Sequence, residues 1–264
     1  MATIGEWLLT AGERIMKLYV INLARAKERR ARVEQYLSQL NIDFEFFNAV
    51  DGFSGLPPEL SSKPNDDYRI RYRGRVLTPG EKGVYASHFL LWQKCIELNE
   101  PIVILEDDFL PTQFFNQVIE RLPSLHEKYD YLRIEAQDSH VEGAMIENTH
   151  DGFQVVMWKD NQGGARGYSI TPSAAKKFVK YSDEWLCAVD NFIGESYQHD
   201  VPGMGVIPYA IFNPSDMESQ IQDIVDRPKI RIMNKILREL NRAYRGISLW
   251  LWNIRYLRRI DKTE

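Results

Sequence analysis

Leu18–Leu23 (LYVINL) is a short apolar run that reads as a buried strand, and in the charged stretch behind it Val33, Tyr36, Leu37 and Leu40 recur at helical spacing. The pattern predicts a strand followed by a helix. Phe44–Val50 predicts a second strand closed by Asp51-Gly52. Phe53–Arg75, rich in Pro, Ser, Asp and Arg, predicts a loop without regular structure, of a length that is usually functional. Thr78-Pro79-Gly80-Glu81 spells a capping box: Thr78 as N-cap, Pro79 at the first helical position, Glu81 reaching back. The helix it opens is expected to run to about Leu98, burying Val84, Tyr85, His88, Trp92 and Cys95. Pro101–Leu105 (PIVIL) predicts a fully apolar strand ending in Glu106-Asp107-Asp108, after which Pro111 is expected to open a helix carrying Phe114, Phe115, Val118 and Ile119. Further strands are predicted at Tyr129–Ile134, Phe153–Trp158 and Gly167–Thr171, with a helix capped by Thr171-Pro172 running to Tyr181. Strands alternating with helices imply an α/β protein with a mainly parallel central sheet. No internal repeat is visible.

Composition narrows the class. With 264 residues, 44% hydrophobic and 27% charged, the chain has an ordinary folded composition and can bury a sizeable core in one large domain or two small ones. No apolar run reaches the roughly 18 residues of a membrane span. Cys95 and Cys187 stand singly without a CxxC spacing, which excludes a disulfide framework or zinc ribbon and fits a reducing compartment. Residues 1–15 have neither a basic start nor a continuous apolar stretch, so they fail as a secretory signal. Met16 directly precedes the first strand, and 1–15 read as an added leader or a non-native start.

Three consecutive carboxylates at the end of a buried strand are the strongest chemical feature. Ligands of open α/β sheets bind beyond the carboxyl ends of the strands. Like charges this close are relieved most simply by an oxygen-preferring cation such as Mg²⁺ or Mn²⁺, which keeps sites for substrate phosphates. The plainer alternative is a solvated turn with Asp108 capping the next helix. Gly163-Gly164-Ala165-Arg166-Gly167-Tyr168 is Gly-rich but fits neither a Walker loop nor a dinucleotide fingerprint. Read alone, Glu81 is a capping residue and His88 a packed histidine.

The segments VINLARAKERR (20–30), NAVDG (48–52), LTPGEKGVYASHFLLWQK (77–94), VILEDDF (103–109), GARGYSITPSAAKKFV (164–179) and AVDNFI (188–193) together resemble glycosyltransferase family 25. That family comprises bacterial lipooligosaccharide and lipopolysaccharide galactosyltransferases and the related collagen galactosyltransferases. The resemblance runs in order from Lys17 to Phe212 and implies a GT-A-type nucleotide-sugar fold over 16–220, a UDP-sugar donor and inversion at the anomeric carbon. It implies that Glu106-Asp107-Asp108 is a variant of the Asp-x-Asp motif. Asp108 would bind Mn²⁺ or Mg²⁺, and Glu106 would contact the ribose or a metal-bound water. Asn22, Arg25 and Arg29 would meet the nucleotide just beyond the first strand, and Asp51 would meet ribose or uracil. Glu81 and His88 become donor-site candidates, with Arg166 and Tyr168 near the donor sugar. An inverting transfer needs a carboxylate to take the acceptor proton. Asp190, in the family's second acidic motif, is the candidate base, with a helix N-cap as its structural alternative and Glu135 as the fallback base.

Charge is unevenly distributed. From Arg227 to Glu264 there are eleven Lys/Arg against three acids, a net of +8, which leaves −12 on the preceding 226 residues of a chain whose total is −4. In this tail Ile232, Met233, Ile236, Leu237, Leu240 and Tyr244 recur at helical spacing among basic residues, and a second segment packs Trp250 and Trp252 around Arg255, Arg258 and Arg259. Basic amphipathic helices with tryptophan lie at anionic membrane surfaces. Residues 227–264 are therefore expected to dock on an anionic membrane surface, and the family resemblance implies that this is the cytoplasmic, inner face of a bacterial inner membrane, beside a lipid-linked oligosaccharide acceptor. The alternative is an oligomer interface; an acidic body does not suit nucleic acid. The leading expectation is a UDP-hexose transferase, most readily a galactosyltransferase. A carboxylate-metal phosphohydrolase and a membrane-associated scaffold are the competitors.

Overall fold

The computed structural model describes residues 16–138, 140–149, 151–213 and 232–260. The expected leader at 1–15 and the domain boundary placed at 221 lie outside them. The first strand, β1 (Lys17–Asn22), leads into α1 (Lys27–Gln39) and β2 (Glu45–Asn48). Then come α2 (Asp66–Tyr72), α3 (Pro79–Leu98), β3 (Ile102–Glu106), β4 (Leu110–Pro111), α4 (Phe115–Leu125) and β5 (Tyr131–Arg133). The chain continues through β6 (Gly143–Asn148), β7 (Gln154–Trp158), β8 (Gly167–Ile170), α5 (Pro172–Tyr181), α6 (Val189–Gly194) and α7 (Ser196–His199). It closes with β9 (Met204–Ile207), β10 (Ile211–Phe212) and α8 (Ile232–Ile260).

Eight strands form one sheet in the order β2-β1-β3-β8-β5-β9-β7-β6. Six run in one direction, while β8, between β3 and β5, and β7, between β9 and β6, run against them. Apolar strands buried on both faces lose the alternation of a half-exposed strand, and β1 and β3 show why. Tyr19, Ile21, Ile102 and Ile104 face one core with Tyr85, Phe89 and Trp92 of α3 and Phe178 of α5. Leu18, Val20, Val103 and Leu105 face another with Val33 and Leu37 of α1 and Phe115, Val118 and Leu122 of α4. The period of two along the strand thus feeds both layers.

Three local expectations change. The segment 53–75 is not structureless: it holds a 3-10 turn at Pro58–Leu60 and α2, whose N-cap Asn65 accepts from the Tyr68 N–H. A seven-residue helix is too short to show a periodicity. Pro111 does not open a helix but pairs with Ile211 in a short antiparallel ribbon, and α4 starts four residues later. The edge strand β6 was invisible to the hydrophobic pattern because much of it faces water.

Within the tail, Ile232–Ile260 forms one continuous helix, α8. It lies against the body through Asn241, which donates to the Tyr72 carbonyl (3.2 Å), Arg245, which binds Glu195 (2.5 Å), and Trp252, which donates to Asp200 (2.9 Å). At about 100° per residue, Ile232, Ile236, Leu240, Ile247, Trp250 and Leu251 fall within a sector of roughly 100° on the opposite side. All six are exposed, from 39% at Leu251 to 77% at Ile232. Among the described residues no helix is long and apolar enough to cross a membrane.

Candidate functional site

Because β2, β1 and β3 are parallel, their carboxyl ends open at one edge of the sheet, and there Asn22, Asp51 and Glu106-Asp107-Asp108 converge. The approach of the 50–52 loop to α3 depends on two glycines. A Cβ at Gly52 would lie 1.7 Å from the Pro79 carbonyl oxygen, and one at Gly83 would lie 2.4 Å from that of Val50. The wall of α3 can therefore close on the strand ends. Its start is the capping box expected, with Glu81 N–H to Thr78 Oγ1 at 3.1 Å and Thr78 N–H to Glu81 Oε2 at 2.8 Å.

Two adjoining cavities share Val84 and Glu106. The first is lined by Arg25, Arg29, Asp51, Phe53, Ser87, Glu106, Asp107 and Asp108, and the second by Glu81, Gly163, Ala165, Arg166 and Asp190. The structure thus brings together residues spread over 165 positions of sequence between Arg25 and Asp190. Asn22, His88 and Tyr168 lie buried behind this surface. So does Glu135.

The three carboxylates have different partners. Asp107 is 7% exposed and accepts from Asn22 Nδ2 (2.7 Å) and Arg29 Nη1 (2.8 Å), so it ties β1 and α1 to the end of β3. Asp108 accepts from Arg166 Nε at 2.9 Å, and Glu106 accepts from His88 Nε2 at 3.3 Å. Arg25 pairs with Asp51, which also accepts the Phe53 N–H at 3.1 Å.

The bond to His88 is the end of a buried chain. Trp92 Nε1 lies 2.8 Å from the Tyr168 hydroxyl, which lies 2.8 Å from His88 Nδ1. An indole N–H can only donate, so the Tyr168 oxygen accepts it; at the other end the Glu106 carboxylate accepts from His88 Nε2, which leaves Nδ1 to take the Tyr168 proton. The network therefore assigns His88 the Nε2–H tautomer, which is the one that donates to Glu106.

Glu135 is 2% exposed and sits between Arg133 (3.4 Å) and Arg166 (3.2 Å). Burial pushes its carboxyl up to about 7, with both guanidinium groups pulling the other way. Burial likewise opposes ionisation of Glu81, but Arg75, at 2.5 and 2.7 Å, and the Thr78 N–H outweigh it and hold Glu81 below its usual range. Arg166, with Asp108, Glu135 and Glu106 around it, is held above its ordinary value despite its burial. Asp190, one residue inside the start of α6, accepts from its neighbour Asn191 at 2.7 and 2.9 Å. The N-cap of that helix is Ala188, so capping does not account for Asp190.

Sequence reasoning missed Arg75 and Arg133, and it placed Trp92 in the core without its hydrogen bond to Tyr168. Arg133 left one signal, a charge inside the run Tyr131-Leu132-Arg133-Ile134. A Cβ on Gly164 would stand 2.1 Å from Arg133 Nη1, so the glycine makes room for that guanidinium. For a divalent cation, the oxygen donors Glu106 and Asp108 line the same cavity, which suits Mg²⁺ or Mn²⁺ bound through one or two carboxylates plus substrate phosphates. Among the described residues no three His, Cys, Asp or Glu side chains group into an all-protein cage.

A family model described as glycosyltransferase family 25 (LPS biosynthesis protein) matches residues 15–193. The chain is 28% identical over 240 residues to lipooligosaccharide biosynthesis protein lic2B of Haemophilus influenzae, covering 83% of this chain and 88% of that protein. It is 26% identical over 250 residues to a glycosyltransferase 25 family member of Aedes aegypti, covering 85% of this chain and 40% of that one. Against procollagen galactosyltransferase 1-A of Xenopus laevis the identity is 29% over 190 residues, 69% of this chain and 31% of that one. The chain thus spans less than half the length of the two animal relatives.

Proposed function

The chain belongs to glycosyltransferase family 25, and from that premise we propose that it transfers a hexose, galactose before others, from a UDP-sugar to a lipid-linked saccharide of the lipooligosaccharide type. One observation carries the reading. Glu106 stands where a cavity rich in Arg and Asp meets a cavity holding Asp190 and Arg166, so a donor in the first would present its sugar to the second. The strand order and the position of the acidic motif at a strand end support a GT-A-type assignment.

In this reading Arg25 and Arg29 meet the diphosphate, for which their forked donors are matched, and Asp51 meets the ribose or uracil. Glu106 and Asp108 would hold a divalent cation, which supplies neutralisation of the charge that grows on the departing UDP. Asp190 takes the proton of the acceptor hydroxyl as that oxygen attacks the face opposite UDP, which inverts the anomeric centre. Glu135, buried and clamped, positions Arg166 instead of facing an acceptor. The exposed apolar sector of α8, within a tail of net +8, supports docking on an anionic membrane from the cytoplasmic side, where a lipid-linked acceptor would be reached.

The test is calorimetric titration of UDP and UDP-hexoses with and without Mn²⁺, followed by transfer to a lipooligosaccharide acceptor. Asp108→Asn is expected to lose Mn²⁺-dependent donor binding, while Asp190→Asn keeps it and loses transfer by about two to four orders of magnitude. Absence of UDP-sugar binding by the folded protein, or full transfer by Asp190→Asn, overturns the reading.

A further inference from the structure

A second charged cavity lies away from the carboxylates, between α2 and α8. Tyr72 and Arg73 form one side, and Arg238, Glu239, Asn241, Arg242 and Arg245 form the other. Among the described residues four guanidinium groups surround one space, with two acids beside them, Glu239 on the rim and Glu195 beneath.

The existing pairs do not use up these donors. Glu195 is fully buried and binds Arg73 Nη2 at 2.8 Å and Arg245 Nε at 2.5 Å. Glu239 is shared by Arg238 and Arg242, each at 3.1 Å. Arg73 Nε and Arg245 Nη2 are buried without a hydrogen-bond partner. Those two atoms are shielded from solvent, but each guanidinium carries five donors and these pairs take only one or two of them, so the four forks that line the cavity keep donors for a tetrahedral oxyanion. Arg forks match phosphate more closely than Lys does, and no Lys is among the described residues that line the cavity.

Its place in the chain connects it to the transfer site. Arg73 lines this cavity, while Arg75, two residues on, binds Glu81 in the wall of the Asp190 cavity. Glu195 lies directly after α6, the helix that carries Asp190. We infer that the α2–α8 cavity is a phosphate subsite, held by Arg73, Arg238, Arg242 and Arg245, for a phosphate group on the acceptor or on the lipid beside it. The placement on the acceptor side rests on the transferase reading; the presence of the site does not.

The experiment measures binding of inorganic phosphate by calorimetry, without nucleotide, to the full chain and to two variants. Arg238→Gln/Arg242→Gln alters a half-buried and an exposed helix position that hold only Glu239, so the fold is retained, and UDP binding serves as the control. Phosphate binding is expected to weaken about tenfold in this variant. Glu239→Gln removes a competing acid and is expected to tighten binding about threefold, a change opposite in sign that a purely structural role would not give. Co-sedimentation with phosphatidylcholine vesicles containing phosphatidic acid identifies the source. A loss parallel to that of free phosphate assigns a lipid headgroup, and unchanged sedimentation assigns a phosphate on the saccharide. Equal phosphate binding by all three proteins, or none at millimolar concentration, overturns the inference. Failure of UDP-sugar turnover with this pattern intact would count against the transferase reading alone.

Discussion

Replacing Tyr168 by Phe keeps the ring inside a close-packed cluster, where it stacks on Tyr131 at 5.3 Å, and removes only the hydroxyl. Two buried groups then lose their partner at once, the Trp92 N–H and His88 Nδ1, each 2.8 Å from that oxygen. An orphaned buried polar group costs about 1–3 kcal/mol, so Tyr168→Phe should cost about 2–6 kcal/mol of a total stability on the order of 5–15. Urea unfolding reads this loss directly. The mechanism has a sharper signature in the double variant with Trp92→Phe, which also removes the orphaned donor. Its cost should fall short of the sum of the two single costs by about 1–3 kcal/mol. In parallel, ¹⁵N NMR should find His88 as the Nε2–H tautomer in the wild type. Costs that add within about 0.5 kcal/mol, or a proton found on Nδ1, would refute the relay from Trp92 to Glu106.

Two further outcomes follow from the local structure. Thr78→Ala removes the acceptor for the Glu81 N–H and should lower stability by about 1 kcal/mol in thermal unfolding, with Thr78→Ser restoring most of it. His199 is buried, with Nε2 3.0 Å from the Phe192 carbonyl, and burial lowers its pKa to about 4. The unfolded chain binds this proton first, so the stability is fully present above the unfolded value near 6.5. It is lost as pH falls toward 4, by about 3 kcal/mol at most. Denaturation midpoints of His199→Gln that fall just as steeply between those pH values would assign the acid sensitivity to another group.

The sequence by itself determined the local pieces. The capping box at Thr78 and Glu81, the apolar strands before Asn22 and Glu106, and the helix from Pro172 to Tyr181 all follow from interactions within a few residues. Such interactions are written in adjacent positions. The family was legible too, because its motifs recur in order along the chain. Tertiary structure alone decided what each functional side chain faces. That Asp107 is spent on Asn22 and Arg29 while Asp108 meets Arg166 depends on partners 58 to 85 residues away. That Glu135 is buried between two arginines depends on β8 running beside β5. The reversal of β8 left no trace in hydrophobicity, since a strand buried on both faces looks the same in either direction. The α2–α8 cavity was hidden for another reason: α2 is too short for periodicity to reveal, and Arg73 at its end acquires meaning only when the last helix folds back across it.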